Sequence, residues 1–132
     1  MYLISVIDDR NGMMFNKRRQ SRDRVLCEKI LSLAKDGKLL MNTYSSGLFK
    51  DAENKIIVDD DFLQKAEKGD YCFCENCLPD EKDVEKITLF KWNRKYPGDY
   101  YFNIDLTAWN LTETEEFAGY SHEKITMEEY IR

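Results

Sequence analysis

Histidine occurs once in these 132 residues and proline twice, and no apolar stretch approaches the roughly twenty residues of a membrane span. A lone His122 excludes the dense histidine and aspartate cluster that a two-metal hydrolase needs to position water. Scarce proline, beside 42% hydrophobic residues and seventeen aromatics, excludes a disordered chain, because so much aromatic surface must pack somewhere. The first apolar run, Tyr2 to Ile7, is too short for a secretory h-region and meets Asp8 and Asp9 at once. A cytoplasmic protein with no membrane association is therefore expected. Its four cysteines are then read as free thiols, and Asn110-Leu111-Thr112 carries no weight as a glycosylation acceptor.

The length suits one domain, residues 1–132, with one continuous core. The formal charge is −5, but it is unevenly spread. Lys17, Arg18, Arg19, Arg22 and Arg24 against Asp23 give a local +4, which leaves −9 on the rest. A basic patch on an acidic body has two readings. Either it is a solvated loop whose ion pairs are worth under about 1 kcal/mol each, or Lys17, Arg18, Arg19 and Arg22 bind a phosphate-bearing ligand or single-stranded nucleic acid. In the second case Phe15 and Tyr44 supply a stacking surface.

Along the chain, Tyr2 to Ile7 is nearly unbroken in its apolarity and predicts a central strand covered on both faces. Asp8 to Gly12 ends it with residues that tolerate left-handed backbone. Ser21 then caps a helix of about fourteen residues marked by Val25, Leu26, Ile30, Leu33 and Ala34, with Asp36-Gly37 closing it. Strands follow at residues 38–44, 56–58 and 71–74, with one helical turn after Ser45-Ser46 and a helix of two or three turns from Asp59 to Gly69. Such alternation predicts an α/β fold with a largely parallel sheet. The last third predicts strands at residues 87–92, 109–117 and 124–131, a turn at Pro97-Gly98 and no helix, hence antiparallel pairing at one edge.

These residues resemble dihydrofolate reductase. The amino-terminal likeness lies in Met1 to Gly12, in Asp23 and in Met41-Asn42-Thr43-Tyr44. The carboxyl-terminal likeness lies in Ile87-Thr88-Leu89, Pro97-Gly98-Asp99-Tyr100-Tyr101-Phe102, Trp109 and the closing Glu129-Tyr130-Ile131-Arg132. The resemblance implies a three-layer α/β architecture with a mixed, mostly parallel sheet and antiparallel C-terminal strands. It also implies that Asp23 is the counterpart of the carboxylate that orients the pterin, with an ordinary first-turn acid as the alternative. Asp23, Asn42, Thr43 and Ser45 are then expected around one concavity, where amides at a short helix start suit a small anion.

One departure is pronounced. The family holds its cofactor pyrophosphate on paired glycines opening a helix, and the corresponding place here reads Cys74-Glu75-Asn76-Cys77-Leu78-Pro79. Glu75 repels phosphate, so the expectation is a ligand- or partner-binding domain with no nicotinamide cofactor and no catalytic residues. A reductase with altered cofactor geometry and a nuclease are the competing readings.

The run Asn11-Gly12-Met13-x-Phe15-Asn16-x-Arg18-Arg19-Gln20-Ser21-Arg22-Asp23-Arg24 is also similar to small bacterial proteins labelled ribonuclease Z, a name that His122 alone does not support. Cys72-x-Cys74-x-x-Cys77 is read as core packing and not as a metal knuckle, since no second pair follows. A nucleophilic cysteine would need His122 beside it, and His122 itself is read as a solvated residue entering the last strand.

Overall fold

The computed structural model describes residues 1–15, 18–19, 23–93, 98–120 and 122–132, with only the backbone of Phe15 and Asp99. Among the described residues, seven strands form one sheet in the order β5-β4-β6-β1-β7-β10-β9. Here β1 is Tyr2–Ile7, β4 Leu39–Met41, β5 Ile57–Val58, β6 Tyr71–Phe73, β7 Lys86–Lys91, β9 Asn110–Phe117 and β10 Ile125–Ile131. The five strands from β5 to β7 run parallel, and β10 and β9 pair antiparallel at the edge, so the α/β class and the mixed sheet agree with the sequence reading.

The unbroken apolarity of β1 follows from its position. It lies between β6 and β7, and its alternate residues feed two cores. Leu3 and Ile7 join Leu40, Phe62, Cys72, Ile87 and Leu89 on one face. Ile4 and Val6 join Leu26, Ile30, Phe73, Phe90 and Trp92 on the other. Each fully buried side chain of this size stabilises by about 1.5–3 kcal/mol relative to exposure.

Four local expectations change. Helix α1 is Arg24–Leu33 and its N-cap is Asp23; Ser21, the expected cap, lies outside the described residues. Strand β4 stops at Met41 because Asn42 leaves it to cap α2, Thr43–Ser46, and a 3-10 segment, Gly47–Lys55, broken by non-helical backbone at Phe49 and Ala52, follows instead of one turn. Helix α3, Phe62–Lys65, is a single turn, since Glu67, Lys68 and Gly69 offer no apolar side chain to carry its buried face further. Finally, a second sheet in the order β3-β2-β8 joins Gly12–Phe15 (β2) to Arg18–Arg19 (β3) and Gly98–Tyr101 (β8), segments read as loop and turn.

The loop before β2 keeps its expected character. Asn11 takes φ +64, and Asp8 Oδ1 accepts from the amides of Arg10 and Gly12 at 2.8 Å each. A Cβ on Gly12 would stand 2.8 Å from Asp8 Oδ2, so a larger residue here would displace the carboxylate that holds the turn.

Along the antiparallel edge, Glu128 lies 2.7 Å from both Lys91 Nζ and Tyr130 Oη. Burial pushes its carboxyl up, but these two hydrogen bonds outweigh burial and leave it below its ordinary value of 4.5. A carboxyl depressed on folding contributes stability that is present above the ordinary value and lost as pH falls through the folded one. Urea midpoints measured downward from neutral pH are expected to fall in the acid range, and Glu128→Gln to flatten part of that slope. An identical slope in the variant would refute the assignment.

Candidate ligand-binding site

Asp23 is the first of the proposed site residues to be placed, and its carboxylate is wholly buried. Oδ1 accepts from the amide of Leu26 at 3.2 Å, the helix-capping contact, and from the amide of Tyr120 at 3.0 Å. Oδ2 accepts from His122 Nδ1 at 3.2 Å. The donors Tyr120 and His122 come from the connection between β9 and β10, which Gly119 closes by donating its amide to the His122 carbonyl at 2.8 Å. A Cβ on Gly119 would lie 2.7 Å from Asp23 Oδ2, so glycine here permits the connection to lie directly on the carboxylate. His122, expected in solvent, stacks on Trp92 with ring centroids 3.9 Å apart. The Arg24 guanidinium lies 4.5 Å over the Tyr120 ring.

The amides at the start of α2 are occupied from within the chain. Asn42 Oδ1 accepts from Ser45 N at 3.0 Å, and Asp60 Oδ1 accepts from Thr43 N at 2.8 Å. A carboxylate thus already stands where a small anion was expected. Ser45 is fully buried, and among the described residues its Oγ has no hydrogen-bond partner.

Of the basic segment, Lys17 and Arg22 lie outside the described residues and Arg18 is exposed. Arg19 points inward. Its Nη2 donates to the Tyr44 carbonyl at 2.7 Å, its guanidinium lies 4.4 Å over the Tyr44 ring, and its Nε is 3.5 Å from Glu75 Oε2. Glu75 is only 2% exposed at its side chain. Its neighbour Asn76 accepts from Asn42 Nδ2 at 2.9 Å. One arginine therefore bridges the carboxyl ends of β4 and β6, the place where the resemblance puts the glycine pair. No α-helix follows β6: the connection to β7 holds one short 3-10 turn, Glu81–Asp83.

Beside Asp23, α1 and the 3-10 segment enclose a cleft of about 370 Å³ lined by Cys27, Leu31, Leu48, Phe49 and Ala52. A second depression of about 670 Å³ shares Glu28 and Leu31 with it, so the two form one groove along α1. Its far end carries Lys35, Lys38 and Lys55. The Cys27 thiol in the groove is pushed up to about 11, chiefly by burial and then by the charges of Glu75 and Asp23, which suits an inert thiol and not a nucleophile. Among the described residues no group of histidine, cysteine and acidic side chains is arranged to hold a metal ion, and no helix is long and apolar enough to cross a membrane.

Sequence reasoning missed Gly119, Tyr120 and His122 as the cover of Asp23, and the 3-10 segment as the wall of the groove. The one local signal was an isolated glycine ahead of a strand, which marks close backbone approach.

No protein-family model matches the chain, and no curated protein sequence does. Among solved structures it is similar to dihydrofolate reductase from Enterococcus faecalis complexed with NADP(H) and RAB-propyl. The superposition reaches a TM-score of 0.66 at 10% identity and covers 99% of this chain and 95% of that one. With so little shared sequence the likeness extends to architecture alone: the chain has a dihydrofolate reductase-like fold.

Proposed function

We propose that this chain is a non-catalytic domain that binds a small, elongated, anionic ligand in the groove along α1 and no longer takes a nicotinamide cofactor. The observation that carries this reading is Arg19 lying between Tyr44 and Glu75 across the ends of β4 and β6. A pyrophosphate needs bare backbone amides on a helix N-terminus. At this place the chain has a buried acid, an arginine already engaged with it, and no following helix. The groove, by contrast, is open; one end sets Leu31, Leu48, Phe49 and Ala52 among the acids Asp23, Glu28 and Asp51, and the other carries Lys35, Lys38 and Lys55, a distribution that suits an elongated ligand with its anionic group at the lysine end.

Titration with reduced nicotinamide adenine dinucleotide phosphate, read by its fluorescence, tests the lost-cofactor part. No saturation at micromolar concentration is the expected result, and saturable micromolar binding would restore the reductase reading. Exposed Arg18 sustains a second reading, binding of RNA or DNA through the basic segment. That reading requires affinity that falls steeply with salt and disappears when Arg18, Arg19 and Arg22 become alanine. The absence of binding at low salt removes it.

A further inference from the structure

Arg19 and the groups around its guanidinium come from different parts of the fold. Arg19 is carried by β3, a strand of two residues that among the described residues pairs with β2 alone, Met14 standing opposite Arg19. Tyr44 lies in α2, Gly47 opens the 3-10 segment, and Glu75 follows β6. The Tyr44 carbonyl accepts from Nη2 at 2.7 Å, the Tyr44 ring lies 4.4 Å from Cζ, and Glu75 Oε2 stands 3.5 Å from Nε. A Cβ built on Gly47 would meet Nη1 at 3.8 Å, so that backbone closes a further side.

These surroundings are anchored without Arg19. On either side of Tyr44, the Thr43 amide donates to Asp60 Oδ1 and the Ser45 amide to Asn42 Oδ1. On either side of Glu75, the Cys74 amide donates to the Ile4 carbonyl at 2.9 Å, its carbonyl accepts from Ser5 Oγ at 3.1 Å, and Asn76 accepts from Asn42 Nδ2. The cage is thus fixed at both of its ends, whereas its occupant hangs on a two-residue ladder.

We propose that Tyr44, Gly47 and Glu75 form a recognition site for an arginine side chain, filled here by the chain's own Arg19 and open to an arginine-bearing segment of a partner when β3 withdraws. The geometry selects guanidinium over ammonium. A planar fork donates to a carbonyl and a carboxylate at once while laying its face on a ring, and a compact, strongly hydrated ammonium does not meet all three. Glu75, 2% exposed at its side chain, supplies its charge where water screens it little. The tether presents Arg19 at an effective concentration on the order of millimolar, so an outside arginine enters only where Arg19 is displaced or removed. This site lies apart from the groove along α1, and neither reading depends on the other.

Arg19→Ala in the full chain vacates the site, and thermal unfolding reads its refilling. The midpoint of this variant is expected to rise by at least about 2 °C in about 20 mM methylguanidinium chloride, relative to the same concentration of methylammonium chloride. The wild type is expected to show no such rise, and neither is Arg19→Ala combined with Glu75→Gln. The peptide acetyl-Gly-Arg-Gly-amide is expected to reproduce the rise in Arg19→Ala, and its lysine counterpart is not. Folding is checked by near-ultraviolet circular dichroism. Arg19→Met, which keeps the apolar stem and loses the guanidinium, replaces Arg19→Ala where alanine does not fold, and Tyr44→Leu replaces Glu75→Gln on the same ground. A folded Arg19 variant with no rise, an equal rise with methylammonium, or an equal rise in the double variant overturns the site. A rise with methylguanidinium and none with the arginine peptide overturns its use by a partner segment.

Discussion

Asp23→Ala is expected to lower the unfolding free energy by about 3 kcal/mol. Loss of the cap on Leu26 contributes about 1 kcal/mol, and leaving the part-buried Tyr120 amide and His122 without their acceptor adds roughly 1–3 kcal/mol. Asp23→Asn keeps an oxygen for Leu26 and is expected to cost about 1 kcal/mol, because the charge facing His122 is lost. Urea denaturation of the three proteins separates two roles for this residue. A carboxylate held for a ligand would leave stability nearly unchanged on mutation, and a loss for Asp23→Ala of under about 0.5 kcal/mol would return Asp23 to that role. Its position at the head of the groove would then matter for binding and not for folding.

Trp92→Ala is expected to be the most destabilising single change, about 3–5 kcal/mol, since it empties one of the largest fully buried volumes in the core and removes the ring on which His122 stacks. Trp92→Phe should cost about 1 kcal/mol or less. Among the described residues Trp92 Nε1 has no hydrogen-bond partner, so phenylalanine relieves a buried orphan donor while losing some volume. Both Asp23 and Trp92 contact His122, Asp23 at Nδ1 and Trp92 on the ring face. Their alanine variants should accordingly be non-additive, with a coupling on the order of 1 kcal/mol in a double-mutant cycle. Strict additivity would mean that His122 transmits nothing between them and that its stacked position is incidental.

The sequence by itself determined the central strand, its two-sided burial, the order of the main elements and the antiparallel edge. These rest on local patterns: Tyr2 to Ile7 is a nearly unbroken apolar run readable within six residues. It also determined that the place expected to hold a pyrophosphate carries Glu75, because a side chain is present in the sequence whatever the fold does with it. Tertiary structure alone decided what the polar residues do. Asp23 could be read equally as a ligand carboxylate or a first-turn acid until a segment 97 residues away laid the Tyr120 amide on it. Arg19 belonged to a run of positive charge until Tyr44 and Glu75 drew it inward, and the β2–β8 pairing joins strands too short to show any period. A buried polar group takes its meaning from its hydrogen-bond partner, and here that partner comes from far along the chain, where no local pattern points to it.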